Sequence, residues 1–482
     1  MRSVLLIFLL FPSFLVAQTI AWEDPIPVAS EEWDNNRPRL TLNVEGLPVV
    51  MWGNNVAGEV HVALGDGDSF SDPLSGMMGE YACFTADWAG PELSGSGNNM
   101  LIAFKATPEN TEGIYLLSSE DGGSTWGQPA LISMDEEVDQ TRLPDVAIDD
   151  SGEIHLTFMT FEGNYIDPAY AYKTSEDGEN WSVVQNTSTS FIEGEACDCC
   201  TADIISSGET VVQLWRNNID NIREIYAVIS TDGGSSFSEI LEIDHSDTFS
   251  NVCFSSGPNG VIQGDNLISV FRKNVGDDRR IGLVVTDLVT GMNSLEATVG
   301  GVIGNNVNFN NSKIASDGDY TAIVYEEGVG NGSEIICSVS DGNYENLISF
   351  KDTVNVSLTG RQSNPDVAVN GDQVHVVWQD ADTDQVWYRK GAIVNDGNSV
   401  AERENLDFEL FPNPSNGAIR FSSSEQIISI DVFNQLGILC YSSSLINSVQ
   451  GGLDLTFLNE GVYIVDCKFQ SGTVRRKLIL SK

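Results

Sequence analysis

Two short stretches of the sequence concentrate thiol groups. GEACDCC contains Cys197, Cys199 and Cys200, and NVCFSSGP contains Cys253. Four thiols on neighbouring loops could hold a soft metal such as copper(I) or zinc. They could equally form two disulfides, because cysteines of exported chains are usually oxidised. We expect disulfides here, with neither a metal nor a cofactor.

The other residues capable of chemistry show no catalytic or metal-binding spacing. Four histidines are spread along the chain, at His61, His155, His245 and His375. The 482 residues include 24 Lys+Arg against 70 Asp+Glu, which gives a net charge of -46. Such a charge repels nucleic acid and anionic membranes, so we expect neither as a partner.

The strands that must position these residues come in a repeat of about 50 residues, a period typical of propellers and solenoids. The clearest copy, residues 141–182, contains TRLPDVAID, IHLTFMTF and YAYKTSEDGENWS. Each piece alternates apolar and polar residues between Gly, Asp and Asn, which is typical of strands. Residues 198–237 and 361–390 keep the same order. Weaker copies begin near Arg37, Gly90, Ser256 and Asn311. These seven copies predict an all-β propeller, with seven blades favoured and six possible.

The seventh copy stops after three strands. We predict that residues 22–29 supply the fourth, since AWEDPIPVAS resembles WGQPALIS, which comes after the turn of the second copy. This strand would pair with residues 385–390, closing the ring and covering an edge strand. The alternative is a stray N-terminal strand.

Three turns share one pattern: SEDGGSTW, SEDGENW and STDGGSSF. The Asp side chain can accept hydrogen bonds from the N–H groups of the turn, Gly supplies a positive φ, and the terminal aromatic fills the blade. GDGDSF and SVSDGNY are weaker versions. These turns resemble the Asp-boxes, or BNR repeats, of the sialidase superfamily. The resemblance implies a sialidase-like β-propeller.

In sialidase-type propellers the Asp-boxes lie on one rim and ligands bind on the opposite face. The loops that lead into the first strand and leave the second strand of each blade form that face. The resemblance therefore implies that guanidinium groups on these loops bind a carboxylate bidentately. The candidate ligand-binding residues are Arg37, Arg142, Arg216, Arg272, Arg361 and Glu326. The alternative is that each arginine binds carbonyl groups of a neighbouring blade.

Sialidases hold their substrate with three arginines, one within R-I-P, and use a Tyr/Glu nucleophile pair. TRLP around Arg142 matches the R-x-P piece, but it lies in the third repeat rather than the first. Tyr325 and Glu326 are adjacent on a predicted strand, so their side chains point to opposite faces and cannot form the relay. No pair of carboxylates is assignable to glycoside hydrolysis, and the catalytic residues stay unassigned.

Beyond the linker, residues 396–407, the composition changes from acidic to nearly neutral. Residues 408–482 contain FELFPNPSNGAIRFSS, IDVFNQLG, GVYIV and the basic end KLILSK. These pieces resemble the type IX secretion sorting domains of Bacteroidetes, which implies a small β-sandwich read by an outer-membrane export machine. Cys440 and Cys467 lie in two of its predicted strands, and we expect a disulfide between them.

Residues 1–17 have a positive charge at Arg2, then an apolar run that ends before Ala17. This pattern predicts a secretory signal peptide, too short to span a bilayer. No other segment approaches the roughly 20 apolar residues of a membrane helix. The propeller would then occupy residues 18–395.

These features favour an exported propeller, secreted or displayed on the outer-membrane surface by way of the periplasm, that binds acidic glycans. One alternative is a glycoside hydrolase, similar to an exo-sialidase, with a rearranged site. The other is a non-catalytic platform for protein interactions. The type IX export machinery is the second expected partner.

Overall fold

A computed structural model describes residues 18–29, 34–133, 140–163, 165–192, 194–237, 239–246, 249–300, 307–329, 332–349, 351–356, 360–395, 408–434, 439–469 and 472–481. The chain forms two compact units, Met1–Asn395 and Asp396–Lys482. The predicted signal peptide, 1–17, and the predicted linker, 396–407, lie outside the described residues.

Seven antiparallel sheets make up the described part of the first unit, and each is one blade of a propeller. Blade 1 contains β3 (Asn35–Leu42), β4 (Pro48–Asn54) and β5 (Glu59–Leu64). Blade 2 contains β6 (Ala82–Cys83), β7 (Glu92–Ser96), β8 (Asn99–Thr107), β9 (Ile114–Ser119) and β10 (Ala130–Leu131). Blade 3 contains β11 (Gln140–Ile148), β12 (Ile154–Glu162), β13 (Ile166–Ser175) and β14 (Gln185–Asn186). Blade 4 contains β15 (Glu195–Ala196), β16 (Asp203–Ser207), β17 (Thr210–Asn218), β18 (Ile225–Ser230) and β19 (Glu239–Glu242).

The remaining three blades complete the ring. Blade 5 contains β20 (Asn259–Gln263), β21 (Asn266–Val275), β22 (Asp278–Asp287) and β23 (Met292–Val299). Blade 6 contains β24 (Phe309–Ser316), β25 (Thr321–Val329), β26 (Gly332–Ser340) and β27 (Asp352–Thr353), with the helix α1 (Glu345–Ser349) before β27. Blade 7 contains β28 (Gln362–Asn370), β29 (Gln373–Asp380) and β30 (Gln385–Asn395), together with β1 (Gln18–Trp22) and β2 (Ile26–Pro27). The innermost strands of successive blades pack together, and β28 packs against β3. The prediction of seven blades is therefore confirmed.

The N-terminal segment closes the ring, as predicted. Ile26 pairs with Tyr388 in antiparallel register, and Trp22 pairs with Gly391. The segment forms two short strands, β1 and β2, where the sequence predicted one. Both cover the edge of β30, which would otherwise be exposed.

An apolar cluster fills the junction between each pair of adjacent blades. Trp52, Val377 and Tyr388 belong to the cluster that joins blade 7 to blade 1. The second strand of a blade has such clusters on both faces, so β4 is buried along its whole length. This explains the continuous apolar runs in the middle of each repeat.

The three Asp-box-like turns have the hydrogen bonds that their sequence predicts. Asp121 Oδ1 accepts the N–H of Thr125 at 2.8 Å, and the Trp126 indole donates to the Gly123 carbonyl at 3.0 Å. The corresponding acceptors are Asp177, from Asn180 N at 2.7 Å, and Asp232, from Ser236 N at 2.9 Å. These turns follow β9, β13 and β18. In each of them an aspartate side chain accepts a hydrogen bond from a backbone N–H group that has no partner in the sheet.

The C-terminal unit is one sheet that nearly closes on itself, where the sequence predicted a small sandwich. Its strands are β31 (Phe408–Phe411), β32 (Ala418–Asn434), β33 (Leu439–Asp454), β34 (Gly461–Phe469) and β35 (Gly472–Leu480). The long strand β32 pairs with β31, β33 and β34, and register shifts along it bend the sheet. Ser415 bridges to Leu480, which brings β35 back towards the start of the unit.

The disulfide expected between Cys440 and Cys467 is not formed. Cys440 lies on β33 and Cys467 lies on β34, and these two strands pair with β32 on its opposite edges. Because neighbouring strands lie about 4.8 Å apart, an intervening strand separates the two cysteines by about twice that distance. A disulfide needs a shorter approach between the two Cα atoms.

Among the described residues the single helix, α1, has five residues. No helix in this part of the chain has the length and apolar composition needed to cross a membrane.

Candidate functional site

The innermost long strand of each blade places a polar residue at one equivalent position in the lining of a common cavity of about 250 Å³. We call these seven residues, one per repeat, the axial ring. They are Arg39, Glu92, Asp145, Asp203, Asn259, Lys313 and Asp366.

Side-chain oxygens of the axial ring join successive blades. Asp145 Oδ2 accepts the N–H of Ile204 at 2.8 Å, and Asp203 Oδ2 accepts the N–H of Gly260 at 2.8 Å. The same bond joins Asn259 Oδ1 to Ile314 N at 2.8 Å and Asp366 Oδ2 to Leu40 N at 2.9 Å. In each case the donor is the residue directly after the ring residue of the next blade. These bonds hold the inner strands around the cavity.

Blades 1 and 2 are joined by ion pairs instead. Glu92 accepts Arg39 Nε at 2.5 Å and also Arg37 Nη2, and Lys313 Nζ lies 3.9 Å from its carboxylate. Burial alone would raise the pKa of Glu92, but the three cations outweigh it and hold that pKa well below its usual range. Glu92 is therefore ionised, and its negative charge faces three cations.

The other acids of the axial ring are shifted in the opposite direction. Burial raises the pKa of Asp203 to about 7. Burial, with the neighbouring Asp203, also raises the pKa of Asp145, and burial raises that of Asp366. Near neutral pH Asp203 consequently carries less negative charge than an exposed aspartate would.

A β-bulge lies two residues before the axial ring in four blades. The bulged residues have a left-handed backbone with φ near +50°, and the register shifts beside them. They are Arg37, Leu143, Asn311 and Asn364. Bulges re-aim side chains and are over-represented beside functional sites. Three of them, Arg37, Asn311 and Asn364, line an opening next to the cavity, which we call the mouth. Its lining includes Arg37, Trp88, Thr201, Ser255, Asn311 and Asn364.

Arg142 lies at the rim of the mouth. Its guanidinium is stacked between Trp88 and Tyr165, at 5.1 and 4.8 Å from the ring centroids. Its Nε lies 3.0 Å from Glu109 Oε1, and Nη1 donates to the Asp198 carbonyl at 3.3 Å. Trp88 is half-buried and also lines the mouth. Arg142 therefore contacts the lining of the mouth through the ring of Trp88.

Arg272 and Glu326 lie behind the mouth and support its loops. Arg272 Nη1 donates to Asn310 Oδ1 at 3.2 Å. Glu326 Oε1 accepts Asn311 Nδ2 at 2.6 Å and the N–H of Asn364 at 2.8 Å. Burial raises the pKa of Glu326 against these bonds. Glu326 thus holds two bulged residues of the mouth in place. Tyr325 points away from it into the apolar core, as predicted.

Two predicted ligand residues are placed elsewhere. Arg216 is 0% exposed, and its Nη1 and Nη2 donate to the carbonyls of Arg223 and Arg272 at 2.8 and 2.7 Å. Its side chain therefore joins loops between blades 4 and 5 and leaves no room for a ligand. Arg361 has a side chain that is 57% exposed, 3.5 Å from Asp382, and does not line the mouth.

The four-cysteine cluster forms as predicted, with one pair oxidised. Cys199 and Cys253 form a disulfide. The sulfurs of Cys197 and Cys200 lie 2.9 Å apart. The hydrogen bond from Cys200 lowers the pKa of Cys197 to about 6 against the effect of burial, and Arg216 and Arg223 act in the same direction. These contacts favour the thiolate form of Cys197.

The ligand-binding residues predicted from the sequence did not include Glu92 and Lys313, although both belong to the group of charged side chains at the site. The signal was available in five repeats, where a proline directly precedes the ring residue: RPR, GPE, LPD, GPN and NPD. Reading that position around all seven copies would have identified the axial ring.

The C-terminal unit matches the Secretion system C-terminal sorting domain over residues 409–481. The chain is thus directed to secretion or to display on the outer-membrane surface, as predicted. No curated protein matches the chain.

Solved structures that are similar to this chain include three proteins of low sequence identity to it. A protein of unknown function from Dyadobacter fermentans DSM 18053 is 12% identical, with a TM-score of 0.45, over 63% of this chain and 94% of that one. PorZ of the type-IX secretion system of Porphyromonas gingivalis is 11% identical, with a TM-score of 0.42, over 95% of this chain and 60% of that one. Trypanosoma rangeli sialidase is 12% identical, with a TM-score of 0.42, over 96% and 89%. These values are too low to transfer a function to this chain.

Proposed function

We propose that this exported propeller binds carboxylated glycans at the mouth above its axial ring. The observation that carries the proposal is the charge of the mouth. Arg37, Arg39 and Lys313 all face the ionised carboxylate of Glu92, so three basic side chains are gathered at the mouth of a chain whose net charge is -46.

Distant acidic residues do not cancel this local charge, because the Debye length is about 8 Å at physiological ionic strength. The pKa of Asp203, raised to about 7, also reduces the negative charge of the adjacent axial ring. A planar carboxylate suits this surface, since guanidinium groups bind it through two parallel hydrogen bonds.

The rim supplies an apolar contact of the kind that the body of a sugar ring needs. Tyr165 is 45% exposed and stacks on Arg142, which in turn stacks on Trp88. Rigid aromatic side chains offer contact area at low entropic cost, with a few polar groups fixing orientation. The proposal therefore rests on the mouth and its rim, and it does not use Arg216 or Arg361.

Isothermal titration with matched ligand pairs tests the proposal. Oligogalacturonate is compared with its methyl ester, and sialyllactose with lactose, so that only the negative charge or the sialic acid differs. Wild-type protein should bind a carboxylated member more tightly than its neutral partner, with an affinity that falls as salt rises.

Lys313→Met keeps the aliphatic stem of this side chain and removes its charge. We expect affinity to fall by about 10-fold or more, since a hydrogen bond to a charged group contributes about 1.5–3 kcal/mol. Arg361→Met is the matched control, because it removes one positive charge outside the mouth. Equal affinities for both members of each pair, or equal losses in the two variants, would contradict the proposal.

A further inference from the structure

We propose that the four-cysteine cluster is a tetrathiolate site for a thiophilic metal ion such as Zn²⁺, and that the Cys199–Cys253 disulfide is the oxidised form of the same site. In the reduced chain Cys197, Cys199, Cys200 and Cys253 would each supply one sulfur. This site is separate from the mouth and does not depend on glycan binding.

Three of the sulfur–sulfur distances match those of a tetrahedral centre. All four lie within 4.8 Å of one another. Cys197 Sγ lies 3.6 Å from Cys199 Sγ and 3.8 Å from Cys253 Sγ, and Cys200 Sγ lies 3.8 Å from Cys253 Sγ. Zinc–sulfur bonds of about 2.3 Å in a tetrahedron place the sulfurs about 3.8 Å apart. Cys197 Sγ and Cys200 Sγ, 2.9 Å apart, and the bonded pair Cys199 and Cys253 would each have to separate to complete the tetrahedron once the disulfide is reduced.

The fold fixes the two loops that carry the sulfurs. Cys197 N donates to the Arg216 carbonyl at 2.9 Å, and Cys200 N donates to the Cys197 carbonyl at 3.2 Å. The second loop passes so close to the first that a Cβ on Gly257 would overlap the carbonyl oxygen of Thr201. Glycine is required there because only a bare Cα fits. Two adjacent blades thus present preformed ligands.

Hydrogen bonds to the sulfurs provide the outer support that metal sites need. Arg223 Nη1 donates to Cys197 Sγ at 2.9 Å, and Ser255 N donates to Cys253 Sγ at 3.2 Å. Such donors orient metal ligands and are important for affinity. They are suited to thiolates, whereas a disulfide sulfur is a weak acceptor.

Charge and access are also consistent with this assignment. A divalent cation with four thiolates carries two net negative charges, and a buried charge must be compensated. Arg216 and Arg223 are both buried and act electrostatically on Cys197 and Cys200. Cys199 and Cys253 are half-exposed, so a reductant and a metal ion can reach the cluster from solvent.

The two forms are related by a balanced two-electron step. Two small-molecule thiols, 2 RSH, reduce the Cys199–Cys253 disulfide to two cysteine thiols and are themselves oxidised to RSSR. Metal binding then releases the remaining thiol protons. Disulfide and metal both require Cys199 and Cys253, so they exclude each other.

Metal content of the full chain tests the proposal. After anaerobic reduction with a phosphine, addition of Zn²⁺ and desalting, elemental analysis should give one zinc ion per chain. Co²⁺ in place of zinc should give the intense thiolate charge-transfer and tetrahedral ligand-field bands. Protein left oxidised should retain no zinc, and re-oxidation should expel it. Reduced wild-type protein without stoichiometric metal would refute the proposal. A parallel titration with Cu(I) shows whether the site prefers that ion.

Three variants separate a metal site from incidental binding by thiols. Cys200→Ser should lose the Co²⁺ thiolate bands, whereas Cys337→Ser, a buried cysteine of blade 6, should keep them. Arg223→Gln retains all four sulfurs and should weaken zinc binding by about 10–100-fold, as loss of an outer-shell partner does. If Cys200→Ser fails to fold, Arg223→Gln decides the matter: unchanged affinity would contradict the assigned site.

Discussion

Replacing Glu92 with glutamine should destabilise the propeller strongly. The carboxylate is 5% exposed and joins the first strands of blades 1 and 2 through Arg37 and Arg39. Glutamine keeps the shape of the side chain but removes its charge. Three cations, including Lys313, would then share a buried space without the counter-ion that they surround.

The magnitude is set by that burial. Removing one partner of a buried ion pair costs about 3–5 kcal/mol, because the remaining charge is left uncompensated. Exposed pairs contribute about 0–1 kcal/mol. We therefore expect Glu92→Gln to lower the free energy of unfolding by about 3–5 kcal/mol. Glu327→Gln makes the same chemical change in the more exposed pair with Lys351 and should cost less than about 1 kcal/mol.

Urea unfolding followed by tryptophan fluorescence measures this difference in the full chain. All nine tryptophans lie between residues 22 and 387, so the signal reports on the propeller and not on the C-terminal unit. The pKa of Glu92 is lowered in the folded state, so its stabilising contribution is complete above the unfolded value of about 4.3 and is lost as pH falls below it. Glu92→Gln should therefore lose part of the acid sensitivity of the wild type.

A change of less than about 1 kcal/mol in Glu92→Gln, equal to that of Glu327→Gln, would refute this reasoning. It would mean that the inner strands of blades 1 and 2 are held by their apolar cluster alone and that the axial cations find other partners.

Three further outcomes are expected. Deleting residues 18–29 should expose the edge of β30, lower the urea midpoint and make blade 7 sensitive to proteases; an unchanged midpoint would show that ring closure contributes little. Propeller stability should fall as pH rises from about 4 to about 7, because Asp203, with its pKa raised to about 7, binds a proton in the folded state that the unfolded chain has already released; Asp203→Asn should flatten this dependence in the same fluorescence assay. Deleting residues 409–482 should leave folded propeller in the periplasm of the producing cell, and unchanged delivery to the surface by fractionation would contradict the role of the sorting domain.

Features repeated along the chain were predictable from the sequence. The turn around Asp121, the pairing of Ile26 with the last repeat and the meeting of Cys197 with Cys253 all result from counting repeats. A propeller places equivalent positions of adjacent repeats side by side, so a position in the repeat is also a position in space.

Interactions that depend on side-chain direction were not predictable in this way. The bulge at Arg37 turns that residue towards Glu92 of the next blade, and no spacing rule gives the left-handed backbone at an arginine. Arg216 lies on a strand without a bulge, and its side chain is buried between blades. In the C-terminal unit, two cysteines on predicted strands could be paired only by knowing which strand lies between them.

The pairing of β1 and β2 with β30 has a consequence for the order of biosynthesis. Ile26 is made early and Tyr388 near the end of the propeller, so the seventh sheet cannot be completed before the last repeat has been made. Joining ends about 360 residues apart would cost about 5 kcal/mol in loop entropy for a flexible chain, but blades that fold in between bring the ends together beforehand. Closure is then the last step, and chaperones that hold the N-terminal segment until then would protect an open edge from pairing with another chain.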